Sequence, residues 1–186
     1  VQEYAYGKPA KKVAAVGSAK GTGTTITFIP DPKVFTVTEF SWKEILNHLR
    51  QQAYLTKGVT IEIGDLRDKA HPLHYTFYFE GGIASYVRYL NSNKNVKQQE
   101  VFYVDTKSGE NQVEIAIQYN DDFQESLFAF ANNIFNPEGG THLAGFKTAL
   151  TRILNTYARA QGFLKEKDEN LSGEDVREGL TAIVSV

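Results

Sequence analysis

Read for alternation and helical spacing, the chain divides into a short series of elements. Thr25-Ile-Thr-Phe-Ile alternates like a strand until Pro30-Asp-Pro stops it. From Ser41 the period becomes helical: Trp42, Ile45, Leu46, Leu49 and Ala53 share a stripe. Ser41 is placed to accept free backbone N–H groups, and Lys57-Gly58 closes the helix. Val59, Ile61 and Ile63 then alternate with polar residues, as do Leu73, Tyr75, Phe77 and Phe79, which predicts a hairpin with one buried face. Ile83, Tyr86, Val87 and Leu90 return to helical spacing. Val101 to Val104 and Val113 to Tyr119 read as strands joined by a turn at Ser108-Gly109, and Leu127 to Ile134 as a further strand for which a helix is the alternative. The strongest helix runs from Thr141 to Gln161. Leu143, Phe146, Leu150, Ile153, Leu154 and Tyr157 fall in a sector of roughly 100°, and the other side is polar and basic. Ser172-Gly-Glu-Asp has the form of a capping box, and Leu180 to Val186 has the composition of a buried strand.

This order of strands and helices predicts a two-layer α+β domain, with an antiparallel or mixed sheet covered on one face by the Thr141 helix and its neighbours. A chain of 186 residues, 41% hydrophobic, has room for one core and a short appended element. With 20 basic and 22 acidic residues the total charge neither marks nor excludes a nucleic-acid binder. The absence of cysteine removes disulfides and thiolate chemistry and fits a reducing, cytoplasmic setting. No apolar run nears the roughly 20 residues that span a bilayer, so a soluble protein is expected. The chain opens at Val1 and lacks methionine, which reads as a piece of something longer.

Candidate chemistry is sparse. His48, His71, His74 and His142 are scattered and none shares zinc-helix spacing with another ligand, so no metal site is expected. Asn120-Asp-Asp reads as a self-capping turn. Glu138-Gly-Gly-Thr is either an anion-accepting helix start or only a tight helix entry. Lys147, Arg152 and Arg159 lie on the polar side of the long helix, where they either meet phosphates or are simply solvated. No nucleophile, base and orienting group stand at a recognisable spacing, and no phosphate loop is present, so no catalytic residue is assigned.

Three stretches carry a resemblance: Gly21-Thr-Gly-Thr-Thr-Ile-Thr-Phe-Ile-Pro-Asp, Gln118-Tyr-Asn-Asp, and Glu138-Gly-Gly-Thr-His-Leu-Ala-Gly-Phe-Lys. It continues through Thr151-Arg-Ile-Leu-Asn and Gly173-Glu-Asp-Val-Arg-Glu-Gly-Leu-Thr-Ala-Ile-Val-Ser-Val, with Phe79-Glu-Gly-Gly-Ile and Tyr89-Leu-Asn-Ser-Asn-Lys between. The series resembles the ATPase subunit of bacterial type IIA topoisomerases, of the gyrase B and topoisomerase IV B kind.

That resemblance implies a transducer domain over residues 31–186, of the ribosomal protein S5 domain 2-like fold. Residues 1–30 would be the closing strands of a GHKL-type nucleotide-binding domain. The family's glutamate base, magnesium-binding asparagine and glycine-rich lid would lie before Val1, and its Gln-Thr-Lys loop just past Val186. ATP and Mg²⁺ thus belong to the intact subunit, and this chain alone should not turn over ATP. Thr24 matches a threonine of the nucleotide pocket. Lys147 matches a basic position facing the cavity through which duplex DNA passes, and Arg152 and Arg159 are further DNA-facing candidates. The implied partners are double-stranded DNA, a gyrase A-like or topoisomerase IV A-like subunit, and a second copy of the intact gyrase B-like subunit. A different class of reading, an autonomous S5-like module holding RNA or protein, stays open at this point.

Overall fold

The computed structural model describes all residues from Val1 to Val186, and they form two compact units, Val1–Phe40 and Ser41–Val186. In the first, β1 (Tyr4–Ala5) and β2 (Lys8–Pro9) make a two-residue antiparallel hairpin whose turn, Tyr6-Gly7, has positive φ at both positions. The Val1 amino group donates to the Ala14 carbonyl at 2.5 Å, and the Gln2 amide donates to that of Lys11 at 2.6 Å. Near the end of this unit Phe28 meets Phe40 edge-on, and Asp31 holds a turn by accepting from the Lys33 N–H. The strand expected over Thr25 to Ile29 does not form. Alternation supplies the two faces of a strand but not the neighbour to which its N–H and C=O groups must bond, and Ile26 and Ile29 are 82% and 92% exposed.

The second unit begins where the sequence changes period. Helix α1 (Trp42–Leu55) is capped by the Ser41 hydroxyl, which accepts from the Glu44 N–H. Strands β3 (Ile61–Asp65) and β4 (Leu73–Phe77) pair as an antiparallel hairpin that stays apart as its own sheet. Only its Ile61/Phe77 end is deeply covered. Leu73 and Tyr75 are exposed, so the buried face expected for the whole hairpin is confined to one end. Helix α2 (Gly82–Leu90) follows. Tyr54 of α1 stacks on Phe79 and Tyr86 at centroid distances of 3.7 and 4.7 Å, while Arg50 lies over the rings of Phe77 and Tyr89.

The main sheet has the order β5-β6-β9-β7-β8, from β5 (Phe102–Ser108), β6 (Asn111–Tyr119), β7 (Ser126–Ala131), β8 (Ile134–Phe135) and β9 (Leu180–Ser185). It is mixed: β9 runs antiparallel to β6 and parallel to β7. The excursion between the parallel neighbours holds β8, the long helix α3 (Thr141–Ala160) and α4 (Gly173–Arg177), whose capping box from Ser172 and Asp175 forms as the sequence predicts. Asn132-Asn133, both with positive φ, make the tight β7–β8 turn.

The α+β class holds, but the sheet is covered on both faces rather than one. Ala116, Phe130 and Ile183 pack with Ile83, Tyr86 and Val87 of α2, whereas Ile117, Ala182 and Val184 point the other way toward Phe146 of α3. The arrangement is therefore three layers, helix on sheet on helix, in place of the expected two. The physical reason lies in β9, where every residue from Leu180 to Val184 is at most 2% exposed. A strand with no outward-facing polar side requires cover on both faces.

Candidate nucleic-acid interface

Helix α3 is positioned by three sets of contacts. Its entry is Gly139-Gly140, at φ +87° and +104°; a Cβ at Gly139 would press to 3.0 Å on Leu143, and one at Gly140 to 3.1 Å on the His142 ring. Its apolar stripe, centred on Phe146, faces the sheet across a groove of about 620 Å³ lined by Phe102, Ile115, Ile117, Leu150, Ile153 and Val186 among others. Its far side, which the sequence presents as polar and basic, is held instead by Asn155. That side chain is 8% exposed and exchanges two hydrogen bonds with the Leu171 backbone, accepting from N–H at 2.8 Å and donating to C=O at 3.0 Å. With the α4 capping box beyond it, this pins the 162–172 connection along the helix.

The three cations of α3 differ in what they already hold. At 100° per residue Lys147 and Arg152 are about 140° apart around the helix, while Arg152 and Arg159, seven residues apart, share a flank. Lys147 Nζ lies 2.7 Å from Glu125 Oε1, and the other oxygen of Glu125 accepts from Arg177 Nε of α4. Partial burial disfavours the charged carboxylate of Glu125, but hydrogen bonds from Lys147 and Arg177 outweigh it and hold its pKa below the usual range. The Arg159 guanidinium is engaged with its own loop, donating to Asn170 Oδ1 and to the carbonyls of Lys165 and Asp168. Arg152 is exposed and its side chain bonds to nothing in the chain. No local spacing rule identifies Glu125 and Arg177 as functional positions, because they lie 22 residues before and 30 residues after Lys147.

Behind this surface a buried polar cluster joins α2 to the sheet. Thr181 Oγ1 donates to Asn91 Oδ1 at 2.8 Å, Asn91 Nδ2 donates to Gln118 Oε1 at 2.9 Å, and Asn120 Nδ2 donates to both Asn91 and Thr181 at 3.2 Å. All four residues are at most 4% exposed. Gln118 sits opposite Thr181 in the β6–β9 register. The sequence does not signal this cluster: Gln118 and Asn120 share the side of Glu114 and Ala116, opposite the apolar run Val113, Ile115, Ile117 and Tyr119, and so read as outward-facing.

Elsewhere the candidate positions do not converge. Thr24 is exposed in the first unit and outside any strand, in the stretch Lys20-Gly21-Thr22-Gly23-Thr24. A threonine hydroxyl can donate to or accept from a nucleotide, but it supplies no charge to hold phosphates or Mg²⁺. His71 pairs with Asp68 at 3.1 Å, and no group of three metal-ligating side chains comes together anywhere in the chain. No helix is long and apolar enough to cross a membrane.

Comparison with known proteins places this geometry in a family. The family model described as DNA gyrase B matches residues 82–186, more than half of the chain and including all of the main sheet, α3 and α4. The chain belongs to the DNA gyrase B family. Over all 186 residues it is 52% identical to the DNA gyrase B protein of Clostridium acetobutylicum, and it spans 29% of that protein's length. Among solved structures, the 43K ATPase domain of Thermus thermophilus gyrase B, in complex with an aminocoumarin, matches with a TM-score of 0.72 at 34% identity, over 84% of this chain and 42% of that one. The B-subunit of the DNA gyrase from Myxococcus xanthus superposes over 97% of this chain and 51% of that one, with a TM-score of 0.77 at 24% identity, and so shares the fold. Gyrase B kinship along the whole chain does not favour the reading as an autonomous RNA- or protein-binding module.

Proposed function

We propose that this chain is the transducer portion of an ATP-dependent type IIA topoisomerase of the gyrase B kind, coupling ATP binding and hydrolysis elsewhere in the subunit to passage of a DNA duplex. The observation that supports it is the similarity to gyrase B proteins, which runs in order from the first residue of the chain to the last. On this reading residues 31–186 are the transducer, of the ribosomal protein S5 domain 2-like class, and residues 1–30 close a GHKL-type nucleotide-binding domain in which Thr24 borders the nucleotide. ATP and Mg²⁺ are held by the rest of the subunit, in the cytoplasm, and the partners are duplex DNA, a gyrase A-like or topoisomerase IV A-like subunit and a second gyrase B-like subunit. The chain's own residues perform no bond chemistry. Helix α3, about 30 Å long at 1.5 Å per residue, transmits movement as a rigid body and offers Arg152, and Lys147 once released from Glu125, to the phosphates of a passing duplex.

The test is ATP turnover by this chain alone and by the chain restored to its upstream domain and following loop, each with and without DNA. Turnover only in the restored protein, faster with DNA and reduced by Lys147→Ala or Arg152→Ala, is the expected result. DNA-stimulated turnover unaffected by both substitutions would remove the role given to α3, and ATP binding by the short chain alone would contradict the division of labour.

A further inference from the structure

The coupling role uses Lys147 and leaves Arg177 unassigned, yet one carboxylate pairs the two. Lys147 comes from the second turn of α3 and Arg177 from the end of α4. Glu125 is the residue that precedes β7. Three separate parts of the chain thus deliver two cations to the two oxygens of a single anion. Beyond Glu125 neither cation has a side-chain partner, and Arg177 uses only Nε, so its two terminal nitrogens remain as donors. Those nitrogens lie over Gly173, where a Cβ would meet Nη1 at 2.6 Å; the missing side chain is what lets the guanidinium fold back toward Glu125. The three side chains together carry a net positive charge; Lys147 and Glu125 are each about one-third exposed (33% and 35%), and Arg177 is more covered at 17%. The Lys147–Glu125 pair, the more exposed of the two, is the one from which exchange with an outside anion can begin.

We propose that Glu125 is a built-in counter-ion occupying the place of a DNA phosphate. Its carboxylate presents two oxygens to Lys147 and Arg177 as the two non-bridging oxygens of a phosphodiester do, and the phosphate replaces it when a duplex lies along α3. The proposal rests on the reading of α3 as DNA-facing. It adds Arg177 as a phosphate-binding residue and Glu125 as the group that opposes binding until a duplex is present, which keeps the affinity of this surface for DNA low enough for release.

The experiment is fluorescence anisotropy of a labelled duplex of about 20 base pairs, longer than the ~30 Å of α3, with the full chain over a series of salt concentrations. Glu125→Gln is expected to bind about fivefold more tightly than the parent at low salt, with a slope of log K against log salt close to the parent's, because the same phosphate meets Lys147 and Arg177 in both complexes. The gain should vanish when Lys147→Ala is added. Unchanged affinity in Glu125→Gln, with weakened binding in Arg152→Ala, overturns the counter-ion role and leaves the DNA surface standing. No effect of Arg152→Ala, or no duplex binding by parent and Glu125→Gln alike, overturns the DNA reading and the proposal with it. Should Glu125→Gln fail to fold, the parent decides: the side-chain carboxyl ¹³C resonance of Glu125 shifts as duplex is titrated in, and a resonance that does not move overturns the proposal.

Discussion

Gly179 lies directly against the Asn120 backbone: a Cβ built on it would collide with the Asn120 carbonyl oxygen and stand 2.9 Å from that of Asp122. The contact is reinforced by the Asn120 N–H, which donates to the Gly179 carbonyl at 2.9 Å, and Gly179 has φ +68°. Both obstacles are backbone, so neither can swing away as a flexible side chain would. Gly179→Ala therefore combines a strained left-handed conformation just before β9 with displacement of the 120–122 turn that leaves β6. A loss of about 2–4 kcal/mol is expected, read as a lower urea midpoint. A loss under about 1 kcal/mol would mean that the 120–122 turn moves freely.

The 120–122 turn leads into the buried polar cluster, whose four members are at most 4% exposed. Thr181→Val keeps the shape of the side chain but removes the donor to Asn91 Oδ1 and an acceptor for Asn120 Nδ2. Leaving those groups short of partners should cost about 1–3 kcal/mol. Ile183→Val, which removes one methylene from the face packed on α2, should cost about 0.5–1.5 kcal/mol. Urea unfolding of the two variants compares these directly. A loss under about 0.5 kcal/mol in Thr181→Val would show that Asn91 and Asn120 find other partners.

Much of the second unit was legible because its elements carry their own periods and caps. Ser41 and Ser172 mark helix starts, Gly162 follows the end of α3, and Ala116, Ile115 and their neighbours alternate in register with β9. What failed to show were facts set by other parts of the chain. Thr25 to Ile29 has a strand's alternation, but only a bonded neighbour makes a strand. The second helical layer follows from the unbroken burial of Leu180 to Val184, a pattern visible in composition but silent about which helix covers which face. The basic residues of α3 were found by type, yet their roles depend on Glu125, Asn170 and the 165–168 carbonyls, which no helical spacing identifies.

The carboxylates predict how stability responds to acid. Arg67 holds Asp65 down to about 2, from an ordinary 3.8, through side-chain and backbone hydrogen bonds. Asp68 is lowered by the Ala70 N–H and by His71, Asp121 by Asn95, Asp175 by Ser172, and Glu125 by its two cations against the effect of burial. In each case the folded pKa lies below the unfolded one, so the contribution is complete above the unfolded value and disappears as pH falls through the folded value. As far as these carboxylates decide it, stability should be level between about pH 5 and 9 and decline from about pH 4 toward 2. Glu125→Gln should lessen the part of that decline beginning just below 4.5, the ordinary value for this group. Urea midpoints against pH measure both effects, and a parent-like curve in Glu125→Gln would show that the bridge to Lys147 and Arg177 does not persist in solution.

Arg152 and Arg159 share a flank of α3 but should behave differently when truncated. Arg159 donates to Asn170 Oδ1 and to the carbonyls of Lys165 and Asp168, tying the loop after the helix to its last turn. Arg152 makes no such bonds and adds only its charge to the surface. Arg159→Ala leaves those carbonyls to water and frees the loop, so it should cost about 1–2 kcal/mol and raise amide exchange between residues 163 and 170. Its effect on duplex affinity should be small, because the charge it removes already faces three acceptors. Arg152→Ala should leave the urea midpoint within about 0.5 kcal/mol of the parent while weakening duplex binding and making the salt slope shallower by about 0.9. Measuring both quantities on both variants separates a structural cation from a phosphate contact. Weaker DNA binding in Arg159→Ala without loss of stability would mean that its guanidinium leaves the loop for the duplex.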